Sequence, residues 1–161
     1  MQQLTPPIDA SARAPSRYAA VQPAPRADVA ADTPALPAFT SFADVRDMFT
    51  FVAFGAPRFD YVRRLPGSPR ALTLESAFDA LRRGVEPFER RSKRGRQRAL
   101  YAQALAELDA ALAHYRAGRR TYGRLTLELA RCRFVEAGST QAAPRARADA
   151  EALAARLAAL T

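Results

Sequence analysis

From Ser41 onward, apolar side chains recur at spacings of three and four, and the breaks between runs fall at glycine, proline and serine. That period belongs to helices packed by one face. Ser41, with Asp44 three positions on, opens the first run as a capping box, and Asp47 adds acid near its positive end. Val45, Met48, Phe49 and Val52 then share a face, and Gly55 with Pro57 stops the run. A strand over 48–54 competes, because Phe49, Phe51 and Val52 are good strand formers. Further on, Pro66-Gly67 marks a turn between Phe59–Arg64 and Arg70–Leu74, two segments that can pair as a short β-hairpin. A helix is predicted over Leu74–Arg83, with Thr73 as cap, Leu74, Ala77, Phe78 and Leu81 on one face, and Gly84 as its end.

After Pro87 the pattern is strongest. Tyr101, Leu105, Leu108, Leu112 and Tyr115 step by 4, 3, 4 and 3, which makes a heptad seam. Ala104 and Ala111 widen it, and Gly118 closes the helix. Between Arg124 and Glu136 the period is mixed. Leu125, Leu127 and Leu129 alternate as in a strand, whereas Ala130, Cys132 and Phe134 shift phase, so a helix apolar round most of its circumference covers the length better. Beyond Pro144 the heptad steps return at Ala146, Ala150, Leu153, Leu157 and Leu160. The two seams are matched in length and can pair within one chain or across a dimer. Each spans only about two heptads, so packing inside a small helical domain is the default.

Residues 1–38 lack any such period and hold seven of the twelve prolines. They predict a disordered arm. An acid-poor composition with arginine is shared with organellar presequences and uncleaved secretion signals, but a flexible tether is the simplest reading. The expected fold is therefore mostly α: a small domain of about four to five helices. Its parts are the arm at 1–38, a helical core at 39–137, and a linker with an amphipathic C-terminal helix at 138–161.

Composition adds limits. Much of the 48% apolar content is alanine, which favours helices with close, shallow contacts. No apolar stretch approaches the ~20 residues of a membrane span, and the first thirty residues lack a secretory apolar core. An intracellular, cytoplasmic protein is expected, or a nuclear one if the source is eukaryotic. Cys132 is the only cysteine, so an intramolecular disulfide is excluded and a buried small hydrophobe is expected.

The formal charge is +9, and nearly all of the basic residues are arginine; Lys93 is the only lysine. GC-rich codon usage accounts for such a bias as readily as selection for bidentate anion binding does. Clustering is more telling. Arg90, Arg91, Lys93, Arg94, Arg96 and Arg98 fall within nine residues that contain no acid. Three readings compete: a solvated face offset by Glu86 and Glu89, a nucleic-acid contact, and a dock for an acidic protein or import receptor. A basic run leading into heptads outwardly resembles a basic-region zipper. Gly95 interrupts it, however, at about 1 kcal/mol relative to alanine, and the seam is too short, so that family is not assigned. Arg116, Arg119, Arg120 and Arg124 form a second basic set, roughly 30 Å away along a continuous helix.

Catalytic signatures are missing. His114 has no second histidine to share a metal, and nothing around Cys132 and His114 marks a nucleophile pair. Glu75 with Asp79, and Glu86 with Glu89, lie beside arginines and suit surface ion pairs rather than acid–base work. Gly118 to Gly123 has P-loop glycine spacing but is followed by Arg124-Leu125. The sequence predicts neither an enzyme nor a cofactor, metal or small-molecule substrate. It predicts a helical interaction protein, an adaptor, chaperone or assembly subunit, engaging a protein partner or a second copy. The pairing residues would be Tyr101, Leu105, Leu108, Leu112, Tyr115, Leu153, Leu157 and Leu160. Nucleic-acid binding through Arg90–Arg98 is the alternative.

Overall fold

The computed structural model describes Phe39, Ser41–Phe59 and Leu72–Leu160. Within those residues there are five helices and no strand: α1 (Phe42–Gly55), α2 (Leu74–Arg91), α3 (Gly95–Arg116), α4 (Arg120–Gly138) and α5 (Ala143–Ala158). The arm at 1–38 and most of the 59–74 hairpin lie outside the described residues.

Helix α1 takes the predicted cap. Ser41 Oγ accepts the Asp44 N–H at 3.1 Å, and Asp44 Oδ2 accepts the Ser41 N–H at 3.1 Å. Val45, Phe49 and Val52 are buried along one face, so the helical reading of this run holds and the strand reading does not. Thr73 likewise caps α2, in a reciprocal box with Ser76.

Helix α2 does not stop at Gly84. It runs on through Pro87 to Arg91. Gly84 is buried, and a Cβ there would lie 3.0 Å from Val45 Cγ2, so this glycine serves a close approach to α1. Pro87 lacks an N–H and forgoes the bond to the carbonyl four residues back, a loss the packed helix tolerates. Ser92 ends the helix, its N–H shared between the carbonyls of Phe88 and Glu89.

The buried line of α3 is Tyr101, Ala104, Leu108, Ala111 and Tyr115. Leu105 and Leu112 are half-buried beside it. The seam thus lies over the alanines, whose small side chains let a neighbouring helix come close. At the far end Gly118 adopts φ 74°, the left-handed conformation that glycine alone takes without strain. The Arg119 N–H reaches the His114 carbonyl at 2.9 Å and the Gly118 N–H reaches Tyr115 at 3.0 Å, a Schellman end.

Helix α4 is the centre of the bundle. It packs on α1, α3 and α5, which explains its mixed period: Leu125, Leu127, Leu129, Ala130, Cys132, Phe134 and Val135 are buried round most of its girth. Phe134 joins four aromatic rings from the other helices. Its centroid lies 4.6 Å from Phe42 in a stacked pair, 5.6 Å from Phe49, 5.5 Å from Phe88 and 5.6 Å from Tyr101. On another side of α4, Leu129 and Cys132 pack with Ala150, Leu153 and Leu157 of α5. The two heptad seams therefore do not face one another; each packs on α4.

Candidate anion-binding site at the turn between α2 and α3

The basic run is divided by the fold. Arg90 and Arg91 end α2, Lys93 and Arg94 form the turn, and Arg96 and Arg98 lie in the first turn of α3. Gly95 opens α3, so the interruption it makes in the basic run falls at the boundary between two helices. Cations at the end of α2 suit the helix dipole, whereas those at the start of α3 oppose it, and that turn carries neither an acid nor a side-chain cap. The result is a local excess of positive charge that an anion would relieve.

Half of the run is neutralised internally. Arg90 Nη2 is 2.8 Å from Glu86, Arg98 Nε is 3.2 Å from Glu89, and Arg96 Nη2 is 3.2 Å from Glu136. Arg91, Lys93 and Arg94 are exposed and, among the described residues, have no carboxylate partner. Two cavities flank this turn. One, of about 300 Å³, has Arg91, Lys93 and Arg94 among its lining residues, with Phe88 and Tyr101. The other, of about 260 Å³, lies between the start of α3 and the α4–α5 connection and includes Arg94, Arg96, Glu136 and Arg147. Gln97 lines both and donates its side-chain N–H to the Ala137 carbonyl at 2.9 Å, tying the start of α3 to the end of α4.

Glu136 was not among the sequence candidates. Its side chain is only 3% exposed, yet three arginines from three helices converge on it. Oε1 accepts from Arg147 Nε at 2.9 Å and from Arg96 Nη2 at 3.2 Å, while Oε2 accepts from Arg133 Nη1 at 3.4 Å. Burial pushes the carboxyl up, but the hydrogen bond and charge of Arg147, with Arg96 and Arg133, outweigh it and hold the group below its usual range. The available signal was a glutamate directly following the buried pair Phe134-Val135. Its partners at 96 and 147 are too distant in sequence for spacing to find.

Arg133 also faces Glu107 of α3, with Nε 3.9 Å from Oε1. Desolvation raises the Glu107 carboxyl to about 7, despite the opposing charge of Arg133. Because the folded pKa exceeds the unfolded one, Glu107 favours folding at low pH, and its contribution is lost as pH rises from about 4.5 to about 7. Glu107→Gln is accordingly expected to melt roughly 3–6 °C above wild type at pH 8 and level with it at pH 4. Calorimetry at the two pH values checks this; a lower melting temperature at pH 8 would contradict the sign.

The remaining candidates are dispersed. Arg116 pairs with Glu75 at 3.5 Å, and the exposed Arg119, Arg120 and Arg124 lie at the opposite end of α3 from the turn. Tyr101, Leu108 and Tyr115 are buried, Leu153 and Leu157 are half-buried on α4, and Leu160 lies past the end of α5 at 44% exposure. Asp79 pairs with Arg83, in keeping with surface ion pairing of the carboxylates. Cys132 is buried, and burial pushes its thiol up, which makes it a weak nucleophile. His114 packs instead against Tyr122, with centroids 5.4 Å apart. The described residues contain no cluster of three or more potential metal ligands and no helix long and apolar enough to cross a membrane. Comparison of the chain with protein-family models, curated proteins and solved structures finds no match.

Proposed function

We propose that this chain is a non-enzymatic helical interaction protein that docks a polyanionic partner on the α2–α3 turn, with nucleic-acid backbone as that partner. The observation that carries this reading is the trio Arg91, Lys93 and Arg94, exposed and without a carboxylate partner among the described residues. A rigid frame holds them: α2 and α3 pack together on either side of the turn, and Gln97 clamps the start of α3 to α4. Contacts of this kind fix position on a phosphate backbone without reading bases. The heptad seams support a protein partner less well. Tyr101, Leu108 and Tyr115 are already filled by the chain's own core, and a partner would have to open it.

Three phosphate contacts give an expected log–log salt slope of about −3 on duplex DNA. Replacing Arg91, Lys93 and Arg94 together by Ala should flatten that slope and weaken binding by at least about tenfold. Replacing the paired set Arg90 and Arg98 should do much less. Fluorescence anisotropy with a labelled duplex across a salt series reads both. Equal loss from the two sets, or binding independent of salt, would refute the reading.

A further inference from the structure

The cavity between the start of α3 and the α4–α5 connection lies beside the turn but is built largely from elsewhere in the sequence. Arg94 and Arg96 enter from the α3 side, and Arg147 enters from α5. Ser139 and Thr140 of the connection add two hydroxyls, and among the described residues Glu136 is the one carboxylate of the lining. Counting formal charges, the three arginines and one glutamate leave a net charge of +2.

Glu136 organises this cavity more than it neutralises it. A guanidinium carries five N–H donors in a planar fork. Arg96 gives one nitrogen to Glu136 and Arg147 gives its Nε, so further N–H groups of both remain for a ligand. Arg94 has no carboxylate partner among the described residues. The Ser139 Oγ accepts the Ala142 N–H at 3.1 Å, which fixes the oxygen and leaves its own O–H to donate. The volume, about 260 Å³, is several times that of one liquid-water share of ~30 Å³ and admits a tetrahedral oxyanion with its hydration.

We infer that this cavity binds a phosphate dianion, gripped by Arg94, Arg96 and Arg147. A net charge of +2 matches a phosphate monoester, which carries about −1.5 to −2 at neutral pH, better than a carboxylate or an internal phosphodiester, each of which carries one charge. The inference rests on the proposed docking of nucleic acid at the turn when the dianion is the terminal phosphate of a strand. Free phosphate is the other source of the same chemistry, and the test separates the two.

The full chain is titrated with two oligonucleotides of one sequence, one bearing a 5′-phosphate and one a 5′-hydroxyl. The phosphorylated strand should bind about tenfold more tightly, ~1.4 kcal/mol. Arg147→Gln should reduce that ratio to about one. Arg147→Lys, which keeps a cation beside Glu136 but loses the fork, should retain the fold by circular dichroism and lose most of the ratio. In parallel, inorganic phosphate is added at constant ionic strength and amide shifts near Arg96 and Thr140 are followed by NMR. Equal binding of both strands, with no saturable phosphate shift, overturns the site while leaving the docking turn intact. Binding of neither strand, with saturable shifts abolished in Arg147→Gln, supports the site and removes the nucleic-acid reading. Saturable shifts that persist unchanged in Arg147→Gln also overturn it.

Discussion

Phe134→Ala should cost about 3–5 kcal/mol and lower the melting temperature by on the order of 10–20 °C. The ring is fully buried and is the meeting point of aromatic side chains from α1, α2 and α3. Deleting it removes its transfer free energy and leaves a void that four separate rings border. Phe42 loses its stacked partner and Phe88 its edge contact at 5.5 Å. Because those rings come from three helices, no single side-chain rotation can fill the space. A domain with total stability of about 5–15 kcal/mol would be brought near its limit. Phe134→Leu retains much of the volume and should cost markedly less. Urea denaturation followed by far-ultraviolet circular dichroism measures both, and a loss below about 1 kcal/mol for the alanine variant would mean that Phe134 is not the keystone of the core.

Sequence periodicity located the helices because one-sided burial leaves a one-sided pattern, as at Val45, Phe49 and Val52. Local capping chemistry was equally legible at Ser41 and Thr73. The failures have a common origin in long-range packing. Gly84 looked like a stop because its role, admitting Val45 of α1, depends on a residue thirty-nine positions earlier. Leu105 and Leu112 outweighed Ala104 and Ala111 by hydrophobicity, yet close helix packing gave the alanines the buried line. The mixed period of α4 reflected burial on several sides, which no single-face template describes. For the candidate site, sequence located the basic run but neither the turn that divides it nor which half of its charge was already spent. Arg98 and Arg90 answer to nearby glutamates, while Arg96 answers to Glu136, forty residues away. The cavity that Arg147 completes has no sequence signature at all, because it exists only once α5 is laid on α4.

Glu136→Gln should destabilise the fold by roughly 2–3 kcal/mol at neutral pH, since three arginines lose the anion they share. The figure is kept below that of a fully buried pair because Arg96 and Arg147 remain partly exposed and water can take over some of their hydrogen bonds. The pH dependence tests the cause. Glu136 has a folded pKa below its unfolded value of about 4.5, so its contribution is complete above that value and is lost as pH falls through the folded one. The gap between wild type and Glu136→Gln should therefore be widest near pH 7 and close under more acidic conditions. Glu107 has the opposite sign, losing its contribution as pH rises from about 4.5 to about 7. The two carboxylates share Arg133, so their effects should not add. With Glu136 neutral, Glu107 is the only carboxylate left to Arg133 among the described residues, and the guanidinium is free to turn fully toward it and favour its ionised form. Its titration should move below about 7 in the Glu136→Gln protein, a shift measurable by carbon NMR of the glutamate carboxyls. If the Glu107 titration stays in place, the two groups are independent and Arg133 does not link α3 to the three-arginine cluster.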